Sequence, residues 1–389
     1  MKIGILGLGL AAIALVSCGG EVAQEQDAAG ASGESEKLSV VASGGVPCDL
    51  TKQVAGDSVE VTCLMEPGQD PHSYQLTAGD RRKLEEADLI IYGGLGLEES
   101  LGQEVFTASE VTAIPVFEKA VPEPLLVDGD PHADHDHGHD HGDHEGEGHA
   151  DHGEEKHEDH ADHDEHGDEK HGDHGEEAHA DHADHDEHGD EKHGDHAGEE
   201  KDGKFVDPHV WHDAILGASS VKVVADALAG LNPDGAAEYE ARAVAIAQEL
   251  ELLDGWIRTQ IGTVPEDRRL LVTAHDAFRY YAATYGLEVP GTLGSFNHDE
   301  EPSAQELARL VDRIKELQVP VIFSETTVES ENTLQAVARS AGIELAETPL
   351  FVDGPGGEGS GAVSYQEMLE VNTCAIATGL GGTCTPPAE

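Results

Sequence analysis

Basic residues are scarce in this chain. Lys and Arg together number 22 against 80 Asp and Glu, and the formal net charge is −58 at pH 7. Such an acidic surface repels phosphate backbones, which argues against a nucleic-acid partner. It suits the attraction of cations, although solubility alone would be served by the same charge.

The sequence also lacks the usual signatures of catalytic zinc and of cysteine metal sites. It contains no HExxH motif, and its 5 cysteines include no CxxC pair. A catalytic zinc keeps one coordination position open for water, with a general base nearby, and nothing here predicts that arrangement. We therefore predict a protein that is not an enzyme, with a zinc hydrolase as the alternative that these absences oppose.

The apolar run of residues 3–16 is too short to span a membrane as a mature helix and is typical of a signal peptide. Residues 15–18, which overlap the end of this run, read Leu-Val-Ser-Cys. This sequence resembles a bacterial lipobox, which implies cleavage before Cys18 and lipid attachment to its thiol. A plain secretory signal is the alternative. Residues 19–36 are polar and rich in Gly, Ser and Ala, as a flexible tether would be. We expect an extracytoplasmic protein, lipid-anchored to a bacterial membrane in the periplasm or at the cell surface.

Four cysteines remain once Cys18 is set aside, and an even number in an exported protein indicates disulfides. Three pairings are possible. Proximity in sequence favours Cys48 with Cys63 and Cys374 with Cys384, one pair at each end of the folded region.

Histidine is concentrated in one segment. Between His132 and His196 lie 20 of the 25 histidines, and the sequence of 160–174 is repeated identically at 182–196. With almost no apolar side chains to bury, this His-rich run is expected to be disordered. Imidazole beside carboxylate is ligand chemistry for divalent metals, so it offers auxiliary weak metal sites. We name five candidates at its start: His135, His137, His139, His141 and His144.

Strand-like and helical patterns alternate on both sides of this run, which predicts parallel sheets flanked by helices. A helical pattern of about 28 residues from Gly235 is long enough to bridge two lobes. The fold class expected is α/β: two lobes, each with a parallel sheet flanked by helices, joined by one long rigid helix, with a metal site in the cleft. The predicted organisation is a signal peptide (1–17), a tether (18–36), an N-terminal lobe (37–232) carrying the insertion 128–203, a connecting helix (233–263) and a C-terminal lobe (264–389).

Four side chains share a structural context that indicates a metal site. His72, His209 and His275 follow strand-like or re-entry segments, and Asp353 follows the last predicted strand. Ligands of open α/β sheets bind at the carboxyl ends of strands. Three imidazoles and one carboxylate would form a four-coordinate site that suits zinc.

The same residues belong to motifs that resemble the zinc/manganese solute-binding lipoproteins of ABC importers, in order over 37–380. The motifs are GQDPHSY (68–74), ADLI (87–90), GLGLE (94–98), DPHVW (207–211), TAHDAF (273–278) and EPS (301–303). The resemblance implies two four-stranded lobes, a rigid connecting helix and one buried metal held by His72, His209, His275 and Asp353. It also implies an ABC permease as partner, and we expect a monomer.

Three further polar residues are expected not to be ligands. We predict that His212 opens a helix and faces solvent, that His298 is a loop residue, and that Glu325 supports a ligand or a helix start. With imidazole at His275 and a single carboxylate the site favours Zn²⁺, whereas a second carboxylate would favour Mn²⁺. The predicted function is capture of zinc and its delivery to a permease. The alternatives are a manganese importer subunit or a zinc buffer acting through the His-rich run. No feature of the sequence specifically supports a fourth role, that of an adhesin in surface attachment.

Overall fold

The computed structural model describes most of the chain beyond the tether. The described residues are 37–98, Leu101, Phe106, 110–128, 200–201, 204–293, 303–327 and 331–387. Contacts group Leu38–Glu389 into one compact unit. Cys18, His298 and the five candidate histidines of the His-rich run lie outside the described residues, so their predicted roles stay predictions.

The first half is built on a four-stranded parallel sheet. Its strands are β1 (Ser39–Ala42), β2 (Glu60–Cys63), β3 (Leu89–Tyr92) and β4 (Thr112–Pro115), in the order β2-β1-β3-β4. The central strands carry apolar side chains on both faces, and all four residues of β3 are buried, as expected for a parallel sheet covered on both sides. Helices α1 (Gly45–Ala55) and α2 (Ala78–Glu86) are the crossovers that the predicted alternation required. A short helix, α3 (Val116–Ala120), follows β4 directly.

A three-stranded antiparallel ribbon flanks the insertion. Strand β5 (Leu126–Asp128) pairs with β7 (Lys204–Val206), which also pairs with β6 (Glu200–Lys201). The strand pairing therefore extends into both ends of the segment 128–203 that we predicted to be disordered. Strand β7 leads directly into the Asp-Pro-His motif at 207–209.

Two long helices in the middle of the chain pack against each other. Helix α4 (Ala214–Leu231) is followed by α5 (Ala236–Ile261), which agrees with the predicted long helix and spans about 39 Å at 1.5 Å per residue. Helix α5 contacts α1 from the first half and the last helix of the chain. Among the described helices, α4 has the length and hydropathy to cross a membrane. Its Val221, Val224 and Leu228 are fully buried, so one face of the helix packs in the hydrophobic core.

The parallel strands of the second half are shorter than those of the first. Strands β8 (Val321–Ile322) and β9 (Glu344–Leu345) are parallel, and the segment 269–275, which ends at His275, makes one bridge, from Leu270 to Glu288. The segment still joins the sheet, because the Phe323 N–H donates to the Val272 carbonyl at 2.9 Å. The helices of this half are α6 (Arg279–Tyr285), α7 (Ala304–Leu317), α8 (Glu331–Ala341) and α9 (Tyr365–Gly379). Ser303 and Glu306 form a capping box at the start of α7.

Both predicted disulfides are present. Cys48 in α1 is bonded to Cys63 at the end of β2, and Cys374 in α9 is bonded to Cys384. The first bond fixes the start of α1 to the strand that leads towards His72. The domain boundaries at 232 and 263 stay predictions, since one hydrophobic cluster contains described residues from both predicted lobes.

Candidate metal centre

The structure brings the four predicted ligands together. His72, His209, His275 and Asp353 each offer a ligand atom within 4.8 Å of the others. All four are buried, with exposed fractions of 4%, 0%, 1% and 5%. Each residue lies in a loop after a strand or extended segment, as the sequence predicted.

The spacing of these atoms suits one small ion. His72 Nε2 lies 3.2 Å from His209 Nε2 and 3.9 Å from Asp353 Oδ1. The His275 ring is centred 5.4 Å from the His209 ring and 6.1 Å from the His72 ring. A tetrahedral zinc bound at about 2.0 Å needs ligand atoms about 3.3 Å apart, so small side-chain movements would complete the coordination.

Buried carboxylates orient two of the imidazoles. His209 Nδ1 lies 2.9 Å from Asp207 Oδ1, and His275 Nδ1 lies 2.6 Å from Glu325 Oε2. A carboxylate accepts only, so each Nδ1 carries the proton and each Nε2 is left as the ligand atom. Glu325 Oε1 also accepts the backbone N–H groups of Ala274 and His275, which fixes the whole turn.

The sequence predicted a supporting role for Glu325, which orients the His275 ring. It did not predict the same role for Asp207, which orients the His209 ring. The signal for Asp207 was present, because an aspartate stands two residues before a histidine in both Asp-Pro-His motifs. In the first motif, Asp70 Oδ1 accepts the backbone N–H of His72 at 2.8 Å. In the second, Asp207 accepts both the backbone N–H and the ring N–H of His209.

The buried site contains carboxylate groups whose negative charge a bound cation would balance. Burial, together with the charges of Asp70 and Glu325, raises the pKa of Asp353 to about 7 against the opposing effects of His275 and Thr327. Burial acts to lower the pKa of His275, but the charge and hydrogen bond of Glu325, with Asp353 and Asp70, raise it to about 9. Neither carboxylate oxygen of Asp353 makes a hydrogen bond in standard geometry. A divalent cation would therefore replace bound protons and satisfy a buried carboxylate.

The prediction that His212 faces solvent was wrong. His212 ends the 3₁₀ turn Val210–His212 and is fully buried, stacked on Phe278 with ring centroids 4.2 Å apart. Neither ring nitrogen makes a hydrogen bond in standard geometry. Burial and the neighbouring His275 lower the pKa of His212 to about 3, against a smaller opposing effect of the Val352 carbonyl. His212 is therefore a neutral core residue beside the site.

Replacing His212 with phenylalanine is expected to stabilise the metal-free protein by about 1–3 kcal/mol, since it removes buried polar atoms and keeps the ring stack. The gain should increase as the pH falls from about 6.5 towards 3, because the unfolded chain takes up a proton that the folded chain excludes. Urea unfolding of both proteins at pH 7 and pH 5 checks this. A variant that is less stable at both pH values would contradict it.

The fold and the four clustered side chains define the class: a metal-binding solute-binding protein, in which α/β halves surround a buried His₃Asp group. The family model described as zinc-uptake complex component A, periplasmic, matches residues 40–379, and the chain belongs to that family. Its relatives are components of ABC metal importers and not enzymes.

Relatives with similar sequences span almost the whole chain. The manganese-binding lipoprotein MntA of Halalkalibacterium halodurans is 28% identical over 90% of this chain and 91% of its own length. The zinc-binding protein TroA of Treponema pallidum is 30% identical over 88% of each chain. The solved structure of the periplasmic zinc-binding protein TroA matches with a TM-score of 0.65 at 28% identity, covering 88% of this chain and 99% of that one.

Proposed function

We propose that this protein captures zinc outside the cytoplasm and delivers it to an ABC-type membrane permease. The observation that carries the proposal is the buried group of three imidazoles and one carboxylate, His72, His209, His275 and Asp353. These four would coordinate a dehydrated ion with no position left for water, which suits transport and not hydrolysis. Delivery would require opening of the buried site on docking. Anchoring through Cys18 and a monomeric state are parts of the same proposal.

Zinc is favoured over manganese by the donor set. Imidazole nitrogen suits zinc, whereas manganese prefers carboxylate and other oxygen donors, and here nitrogen donors outnumber the carboxylate three to one. Glu325 does not supply a second carboxylate ligand, because its oxygens are engaged by His275 and by two backbone N–H groups. The similar proteins bear names of either metal, so the choice rests on this chemistry.

We expect the protein to bind zinc at least about 100-fold more tightly than manganese. This follows the general order of metal affinities for sites that contain nitrogen ligands. Equilibrium dialysis of the metal-free protein against buffered mixtures of Zn²⁺ and Mn²⁺ measures the ratio. Metal analysis of protein taken from cells supplied with both metals is the companion measurement. Manganese as the main metal in that sample would contradict the zinc assignment.

A zinc buffer is the second candidate, because 20 of the 25 histidines lie in the His-rich run. Deleting residues 132–201 separates the two functions. We expect the deletion variant to retain one tight zinc equivalent and to lose only weaker binding, since the four clustered side chains lie outside the run. Calorimetric titration of both proteins checks this. Loss of the tight equivalent on deletion would favour the buffer.

A further inference from the structure

Trp211 links one proposed ligand, His209, to the backbone beside another, Asp353. It is fully buried two residues after His209, and the two rings meet edge-on with centroids 5.2 Å apart. Its Nε1–H donates a 2.7 Å hydrogen bond to the carbonyl of Val352, the residue before Asp353. One side chain therefore contacts a ligand from the first half of the chain and holds the backbone beside the ligand from the last segment.

The indole of Trp211 is itself held firmly. The ring of Phe117 packs against it with centroids 5.0 Å apart, and the hydroxyl of Tyr365 donates a hydrogen bond to the Trp211 carbonyl. In this packed position the indole donor has little freedom to follow the Val352 carbonyl. Movement of the segment that carries Asp353 would therefore break the bond.

Other contacts fix the backbone on either side of Val352. The Asn372 side chain accepts from the Phe351 N–H at 2.8 Å and donates to the Phe351 carbonyl at 2.6 Å. After Val352, the Asp353 carbonyl lies so near Gly45 that a Cβ added there would be 2.0 Å from its oxygen. Trp211 supplies the attachment between these two points, at the peptide that joins Val352 to Asp353.

We propose that Trp211 is a positioning residue, whose indole N–H sets the place of the Asp353 carboxylate relative to His209 and thereby slows release of the ion. Asp353 is buried and follows directly on the Val352 carbonyl that accepts from Trp211, so movement of that peptide would move the carboxylate. This inference rests on the proposed function, because it takes the four clustered side chains as the ligands of zinc.

The chain offers a matched control. It has two tryptophans, and the second, Trp256, also donates its Nε1–H to a backbone carbonyl, that of Thr385 at 2.9 Å, outside the metal site. Trp211→Phe is expected to lower zinc affinity about tenfold, mainly through faster dissociation, because a buried carbonyl loses its donor. Trp256→Phe should leave the affinity within twofold. Equal effects of the two changes would overturn the proposal.

A double-mutant cycle tests whether Trp211 acts through Asp353. In a chain that carries Asp353→Ala, adding Trp211→Phe should change zinc affinity less than twofold. The same tenfold loss in both backgrounds would show a general effect on packing and overturn the proposal. The visible spectrum of bound Co²⁺ gives a second readout: Trp211→Phe should change it and Trp256→Phe should not. Identical Co²⁺ spectra of Trp211→Phe and the unchanged protein would likewise overturn the proposal.

Folding of the Trp211→Phe protein is checked by far-UV circular dichroism and urea unfolding without metal. If it does not fold, a tryptophan isostere with sulfur in place of the indole N–H, benzothienylalanine, is placed at position 211 of the Trp256→Phe chain, with the same expected loss. A normal affinity of that protein would overturn the positioning role. By contrast, unchanged zinc binding by the Asp353→Ala protein would contradict the proposed function itself, so the two failures are distinguishable.

Discussion

Replacing His275 with alanine is expected to lower zinc affinity by at least about a thousandfold. The change removes one of four proposed ligands, whereas loss of a supporting partner commonly costs about 10–100-fold. It also leaves the buried Glu325 without the imidazole N–H that lies 2.6 Å from its Oε2. Competition titration with a zinc chelator of known affinity measures the loss. His72→Ala is expected to behave similarly, because its Nε2 lies within 3.9 Å of two other ligand atoms.

The matched control for these two changes is His212→Phe. His212 is as deeply buried as His275 and lies next to it, but it does not belong to the clustered group of four. Its replacement should leave zinc affinity within a few-fold of the unchanged protein. Near-normal calorimetric binding by both the His275→Ala and the His72→Ala protein would refute the ligand assignment.

The clustering of these four side chains could be predicted because each is indicated by its local position in the chain. A histidine or aspartate just after a strand lies at the carboxyl edge of a parallel sheet, and residues at such edges meet at the cleft. Even the weakly formed strands of the second half satisfy this rule: His275 and Asp353 reach the site from segments that make only isolated bridges at Leu270 and Leu350. The position of a residue after an extended segment mattered more than the length of the strand.

The burial of His212 could not be predicted in the same way. It lies in a single 3₁₀ turn, Val210–His212, whose three residues are all buried. A turn this short has no helical periodicity from which a buried and an exposed face could be predicted. Its surroundings come from distant parts of the chain, since Phe278 stacks on its ring. The bond from Trp211 to Val352 is equally non-local, at 141 residues of separation. Such contacts follow from packing of the whole fold and leave no short motif.

Removing the disulfide between Cys48 and Cys63 is expected to lower the free energy of unfolding by about 3 kcal/mol, the loop-closure value for a 15-residue separation. Replacing Cys374 and Cys384, 10 residues apart, should cost nearly the same, about 2.7 kcal/mol. Urea unfolding of the two double-alanine variants, each without metal, measures both losses. The two variants are thus matched in their expected effect on stability.

They should differ in zinc binding. The bond at Cys48 fixes α1 one turn after Gly45, where the helix start lies against the backbone of Asp353 and Gly354. Its partner Cys63 ends the strand that leads to His72, so this bond connects the supports of two proposed ligands. We expect about tenfold weaker zinc binding in the Cys48→Ala, Cys63→Ala protein, the range for loss of outer support. The Cys374→Ala, Cys384→Ala protein should bind normally, because that bond joins α9 to the C-terminal segment and does not connect the supports of two proposed ligands. Equal zinc affinities in the two variants would mean that the first disulfide stabilises the fold without shaping the site.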